Sequence, residues 1–104
     1  MSEIGTLADF PHNGSYSTTV EGRSLLVVRQ GETFFVYENS CPHTRETLDP
    51  MGGSVLSEDG LLLQCQRHAA QFHPQTGECI GGPCLGEFLT ALPVIVSRDV
   101  LYLD

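Results

Sequence analysis

Short apolar runs separated by turn residues dominate the chain, and this pattern predicts β-strands rather than helices. Runs of β-branched, aromatic and aliphatic residues occupy Tyr16 to Glu21, Leu25 to Arg29 and Thr33 to Tyr37. The tripeptides Glu21-Gly22-Arg23 and Gln30-Gly31-Glu32 separate these runs in the manner of hairpin turns. No long segment keeps the period of an amphipathic helix. We therefore predict strands joined by tight turns.

The second half of the chain continues the pattern. Leu61 to Cys65 is predicted as a strand, and Leu92 to Val96 with Val100 to Leu103 as a closing hairpin. Six prolines and 11 glycines at frequent intervals fit short strands with many turns. The 104 residues leave no room for a second core. We expect an all-β fold with a single domain over residues 1–104.

Two long segments interrupt the strand pattern, at about residues 40–57 and 65–84. Long segments without strand character in a small domain are usually functional. Each of them begins with a cysteine followed closely by a histidine, in Cys41-Pro42-His43 and in Cys65-Gln66-Arg67-His68. We therefore expect the functional site to be formed by these two loops.

The charge balance limits the classes of partner. Thirteen acidic residues face five arginines and no lysine, and the formal net charge is −8. Nucleic acid is an unfavourable partner because its binding requires a basic surface. The acidic balance suits solubility and also suits docking onto a basic protein.

The chain carries neither a recognisable export signal nor a membrane span. Its first residues have no basic patch and no apolar region. The longest apolar runs, such as Leu61-Leu62-Leu63, are far too short to cross a bilayer. We expect a soluble cytoplasmic protein with no membrane partner. Cytosolic thiols stay reduced, so metal binding explains its four cysteines better than disulfides do.

The spacing of the two Cys/His pairs points to a metal centre. The pattern is C-x-H, then 21 residues, then C-x-x-H, so that each loop offers one thiolate and one imidazole. Zinc accepts two Cys and two His, but a zinc finger groups the cysteines in one pair and the histidines in another. An iron–sulfur cluster with two thiolates on one iron and two imidazoles on the other fits two mixed loops. Zinc binding and chance proximity remain open from the residues alone.

The residues around these pairs resemble the cluster-binding region of Rieske ferredoxins. Cys65 to Phe72 is similar to the family's second loop, His73 to Glu78 to the turn that follows, and Gly82-Pro83 to the loop that covers the cluster. The resemblance implies stacked antiparallel sheets with a two-loop cluster-binding tip. It also implies one [2Fe–2S] cluster per chain, with four ligands: Cys41, His43, Cys65 and His68.

The same resemblance implies an electron carrier rather than an enzyme. Family members of this kind take electrons from a flavin-dependent reductase and pass them to a terminal oxygenase or a similar enzyme. The catalytic domain of such an oxygenase would not fit in this length. The alternative is a non-catalytic small subunit of a larger oxidoreductase, such as an NADH-dependent nitrite reductase.

Several positions bear on which branch of the family the chain resembles. The spacing of 21 residues is longer than usual, and Asp49 to Gly60 looks like the insertion. High-potential respiratory members carry a serine and a tyrosine where Ala70 and Phe72 stand here, and no disulfide cysteine stands at either of the two matching loop positions. The chain is therefore predicted to belong to the low-potential ferredoxin branch.

Cys79 and Cys84 lie just downstream of the second Cys/His pair. They could form a redox pair or supply an extra ligand. We favour a third interpretation, that both are small hydrophobic packing residues of the cover loop, because free cysteines commonly pack in this way.

Overall fold

The computed structural model describes residues 2–42, 46–49, 52–66, 70–82 and 85–104. Within them the chain is all-β, as predicted, with one 3₁₀ turn at Leu7–Asp9 and no α-helix. The strands are β1 (Ser2–Thr6), β2 (Gly14–Val20), β3 (Arg23–Gln30), β4 (Thr33–Glu38), β5 (Leu63–Gln64), β6 (Gln71–Phe72), β7 (Cys79–Gly81), β8 (Ala91–Leu92), β9 (Val94–Ser97) and β10 (Val100–Leu103). None of the described helical segments could cross a bilayer.

The strands form three antiparallel sheets. Their orders are β1-β10-β9, β2-β3-β4-β8 and β5-β6-β7. Strand β3 is central in the four-stranded sheet, and its residues Leu25 to Val28 are all fully buried. A strand buried on both faces needs a continuous apolar run instead of alternation. The four-stranded sheet is therefore the middle layer of the protein.

Two apolar clusters cover the faces of this middle sheet. Leu25 and Val27 pack with Leu101 and Leu103 of β10 in the first cluster. Leu26 and Val28, which point to the opposite face, pack in the second cluster with residues of the three-stranded sheet β5-β6-β7 and of the adjoining loops. The second cluster contains Leu26, Val28, Tyr37, Cys41, Leu48, Val55, Leu63, Cys65, Ala70, Phe72, Cys79 and Leu89. The cysteine-bearing loops are thus anchored in one core.

The segment 65–84 differs from the loop that the sequence predicted. It contains β6, which pairs with β5 through Leu63 opposite Phe72, and β7, which pairs with β6 through Phe72 opposite Cys79. Strands of two and three residues are too short to show a period in the sequence. Their pairing is set by packing on the core instead of by local pattern.

The predicted strand boundaries also need correction elsewhere. The expected strand from Leu92 to Val96 is split at Pro93, so that β8 pairs with β4 while β9 pairs with β10 in another sheet. Proline has no N–H and cannot continue a ladder. Strand β1 was not predicted, and the strand expected over Leu61 to Cys65 is reduced to β5.

Candidate metal centre

Cys41 begins the first loop, three residues after β4 ends. Its side chain is fully buried, and its N–H donates to the carbonyl of Glu46 at 2.7 Å. This bond joins the two ends of the segment 41–46, which contains the first Cys/His pair. The burial places the sulfur on the protein side of the loop.

Cys65 begins the second loop in the same manner. It follows β5 directly, is 1% exposed, and donates its N–H to the carbonyl of Ala70 at 2.9 Å. Each cysteine thus bonds the carbonyl of the residue five positions further along. The two loops share a backbone closure that the sequence spacing did not reveal.

The two thiols suit a soft metal. Cys41 and Cys65 belong to the same buried cluster, and no disulfide joins cysteines among the described residues. Thiolates are the ligands that iron–sulfur clusters prefer. The donor set therefore fits the two thiolate positions of a [2Fe–2S] cluster. Cys41 follows the end of β4 and Cys65 follows β5, so tertiary packing of two different sheets brings the two thiols into one cluster.

Part of the predicted site lies outside the described residues. These positions are His43, Arg45, Arg67, His68, Ala69, Pro83 and Cys84. The two histidine ligands therefore remain a prediction, as does the role of Cys84.

Cys79 is described, and it packs in the core. It is 1% exposed, and its thiol donates to the carbonyl of Gly81 at 3.1 Å. In the β6–β7 pairing it lies opposite Phe72. An acceptor within its own strand and apolar surroundings favour the packing role over a ligand role.

Sequence reasoning missed the polar side chains that hold the loops. Ser15, Asn39 and Asp49 are the buried polar residues in the described part of the chain, and each makes a hydrogen bond to or within the first loop. The position of Asn39 two residues before Cys41 was the available signal. Nothing in the sequence marked Ser15, because it acts on a segment 40 residues away.

Exposed apolar residues lie on the hairpin that follows β7. The backbone of Cys79 bonds Glu87 and Gly86, at 2.8 and 3.4 Å, and these bonds close the hairpin. Leu85 and Phe88 are 69% and 56% exposed. Phe88 also lines a depression of about 340 Å³ together with Pro42, the residue after Cys41. The exposed ring of Phe88 therefore lies close to the first cysteine loop, in a depression that Glu38, Ser40 and Thr90 also line.

The comparisons with known proteins agree with this geometry. The family model of the Rieske [2Fe-2S] domain matches residues 2–96. The ferredoxin of carbazole 1,9a-dioxygenase from Nocardioides aromaticivorans IC177 is 26% identical, with a TM-score of 0.82 over 98% of this chain and 94% of that one. A search of curated proteins found no match.

Two further solved structures are similar. A chain in the complex of reduced oxygenase and oxidized ferredoxin in carbazole 1,9a-dioxygenase is 25% identical, with a TM-score of 0.78 over 98% of this chain and 99% of that one. The terminal oxygenase of carbazole 1,9a-dioxygenase from Novosphingobium sp. KA1 is 16% identical, with a TM-score of 0.83 over 97% of this chain and 28% of that one. The last similarity shows the fold alone.

Proposed function

This chain belongs to the Rieske [2Fe-2S] domain family, and from that premise we propose that it passes single electrons from a flavin-dependent reductase to a terminal oxygenase. Cys41 and His43 from the first loop, with Cys65 and His68 from the second, are the proposed ligands. The observation that carries the proposal is the pair of buried thiols, Cys41 and Cys65, in one core cluster. Each of them stands at the start of a loop closed by the same type of backbone bond.

The proposed ligand set bears on how readily the cluster would accept an electron. Two ferric ions, two sulfides and two thiolates would sum to a charge of zero, and one added electron would take the bound cluster to −1. A neutral oxidised site accepts that electron more readily than a site with four thiolates would. The protein's part is to keep the thiolates in an apolar environment and to hold both loops still.

The surface near the first loop supports a protein partner. Leu85 and Phe88 are exposed apolar residues close to acidic Glu87, which suits docking onto a surface with an apolar centre and basic edges. The similar chain from the carbazole system comes from a complex of oxygenase and ferredoxin. By analogy, an oxygenase is the proposed acceptor here.

A permanently bound small subunit is the second candidate. The same exposed side chains, Leu85 and Phe88, would be covered in a stable complex. Gel filtration of protein from its native source separates the candidates, because a carrier elutes alone and a subunit elutes with its enzyme.

Iron and sulfide analysis tests the cofactor and the ligands together. The purified protein should contain two iron and two acid-labile sulfide per chain, with spectra of mixed Cys/His ligation. Cys65→Ala and His68→Ala should each abolish cluster assembly. Cys79→Ser is the matched control, since it changes a buried cysteine that we do not assign as a ligand.

Two outcomes would contradict the assignment. Zinc without sulfide would exclude the cluster, and a cluster that survives either ligand variant unchanged would exclude that ligand. Reduction by NADH and a flavin-dependent reductase, followed by reoxidation on mixing with an oxygenase, tests the carrier role.

A further inference from the structure

Leu48 and Val55 of the first loop use their backbone groups in the same way, each donating its N–H to a buried side-chain oxygen and accepting a backbone N–H at its carbonyl. The N–H of Leu48 donates to the side-chain Oδ1 of Asn39 at 2.9 Å, and its carbonyl accepts the N–H of Gln66 at 3.0 Å. We call this path the Leu48 relay. It runs from the middle sheet, through the first loop, to the residue that follows Cys65.

Val55 makes the equivalent pair of bonds. Its N–H donates to Oγ of Ser15 at 2.7 Å, and its carbonyl accepts the N–H of Gln64 at 2.9 Å. We call this path the Val55 relay. It runs from β2 to the residue that precedes Cys65. The two relays therefore reach Cys65 from both sides.

The side chains at the start of the relays are buried and fixed. Ser15 and Asn39 are each 4% exposed. The N–H of Asn39 donates to the carbonyl of Ser24 at 3.0 Å, and its Nδ2 donates to Oδ1 of Asp49 at 2.8 Å. The N–H of Ser15 donates to Oγ of Ser54 at 3.0 Å. Both acceptor oxygens are thus held on the rigid middle sheet, because their own residues are tied to it or to the loop.

We propose that Asn39 and Ser15 are positioning residues of the redox centre, which fix Cys65 relative to Cys41 through the two relays. This inference rests on the proposed cluster function. Asn39 stands two residues before Cys41 and Gln66 directly follows Cys65, so that the Leu48 relay connects the chain segments that carry the two proposed thiolate ligands. The relays restrain one loop relative to the other, as a covalent link would, but through buried hydrogen bonds alone.

The chemistry of each relay requires an acceptor and little else. Removing the oxygen of Asn39 or Ser15 leaves a buried N–H of the first loop unsatisfied, and such a loss is expensive in an apolar environment. The loop then relaxes, and the geometry around Cys65 is no longer unique. A relaxed site should lose iron faster and should show a distribution of cluster geometries.

Shape-matched variants separate the acceptor from simple packing. Ser15→Val removes the hydroxyl, while Ser15→Thr has nearly the same shape and keeps it. Asn39→Leu removes both amide bonds. The double variant Asn39→Asp with Asp49→Asn exchanges the two side chains, conserves the net charge, and still offers an acceptor to Leu48 and a donor between positions 39 and 49.

The readouts are the rate of cluster bleaching by an iron chelator and the width of the electron paramagnetic resonance lines of the reduced protein. We expect Ser15→Val to bleach about tenfold faster, as the loss of one buried hydrogen bond implies, and Asn39→Leu, which loses two, to bleach at least as fast as Ser15→Val. Their lines should broaden. Ser15→Thr and the exchanged pair should behave like the unmodified protein.

Tyr37→Phe is the control for general destabilisation. Tyr37 is 1% exposed and donates to the carbonyl of Pro74 at 2.7 Å, in the same core but on neither relay. It should lower the free energy of unfolding without changing the line width. If Ser15→Val and Asn39→Leu do no more than Tyr37→Phe, or if the exchanged pair behaves like Asn39→Leu, the positioning role is refuted.

A failure of this inference can be told apart from a failure of the proposed function. If the unmodified protein contains iron and sulfide but the variants show none of the expected effects, the relays alone are refuted. Unmodified protein without sulfide refutes the cluster itself. If Asn39→Leu assembles no cluster while the exchanged pair does, the positioning role is supported in its strongest form.

Discussion

The two cysteine-bearing loops are closed by the same backbone bond, yet they are held to the protein in different ways. Between Asn39 and Leu62 the described residues of the first loop form no strand, and buried side-chain oxygens attach it to the middle sheet. The second loop lies between β5 and β6, and continues into β7, so that a small sheet holds it through backbone pairs.

The difference predicts two kinds of sensitivity. A loop held by side chains should respond to the loss of a single polar atom, because each bond has no substitute. A loop held by backbone pairs should keep the geometry of its cysteine after such a loss, even where the free energy of unfolding falls, and should respond to changes in backbone conformation instead. The following substitutions test the second loop on this basis, in order of expected effect.

Gly77→Ala should have the largest effect. Gly77 ends the turn between β6 and β7 with a φ of 78°, and an added Cβ would lie 2.9 Å from a ring carbon of Tyr37. Backbone strain and overpacking together should lower the free energy of unfolding by about 3 kcal/mol. Urea denaturation measures this.

Gly31→Ala is the matched control for that variant. Gly31 has a φ of 63°, but an added Cβ would meet nothing within 4 Å. It should show the strain alone, about 1 kcal/mol. Equal losses in the two variants would show that packing against Tyr37 does not restrain the second loop.

Tyr37→Phe should have the next largest effect, and the effect should depend on pH. Burial raises the pKa of Tyr37 to about 12. Because the unfolded chain ionises near pH 10 and the folded chain does not, the stability that this tyrosine contributes is complete below pH 10 and is lost as the pH rises towards 12. Over the two pKa units the total loss should be about 3 kcal/mol for the unmodified protein.

Urea denaturation at pH 9 and at pH 11.5 measures this dependence. Tyr37→Phe should be less stable than the unmodified protein at pH 9, by about 2 kcal/mol, because it leaves the Pro74 carbonyl without its donor. It should also lose less stability between the two pH values. An identical loss in both proteins would mean that another group titrates.

Ala70→Ser and Phe72→Tyr should cause the smallest change in free energy of the series. We expect this change in the reduction potential of the cluster. Both positions are fully buried and belong to the same apolar cluster as Cys65. A hydroxyl that donates to sulfur stabilises the reduced state, and one hydrogen bond of about 1 kcal/mol corresponds to about 40 mV. Each variant should therefore raise the potential by about that amount, measured by protein-film voltammetry.

The unmodified protein supplies the reference for this series. Without hydroxyls at these positions, its potential should lie near the low end of the Rieske range, about −150 mV. A value well above zero at neutral pH would place the protein in the high-potential branch, and our interpretation of Ala70 and Phe72 would be wrong.

The sequence predicted most of the scaffold and the family. The first three strands follow from apolar runs bounded by Gly22 and Gly31, and the structure contains them as β2, β3 and β4. The family and its cofactor, one [2Fe–2S] cluster per chain, were predicted from the Cys/His pairs and their flanking residues, and the family match confirms both. These features are local, so that a few neighbouring residues suffice to show them.

The parts that the sequence did not predict depend on distant residues. Strands β6 and β7 form because Phe72 and Cys79 find places in the core beside Leu63, and no local period announces them. Ser15 contacts the loop through Val55, far away in the chain. Long-range contacts of this kind become visible only when the chain is folded.

The pairing of β1 with β10 has a consequence for how the chain folds. Ser2 lies opposite Leu103, so that β1 gains its partner only after β10 has been made. Strands β2, β3 and β4 each pair with the next strand in the sequence, so that only the short turns between them must close before they pair. During synthesis on the ribosome we therefore expect β2, β3 and β4 to pair first, and the β1-β10-β9 sheet to close after β10 has left the exit tunnel.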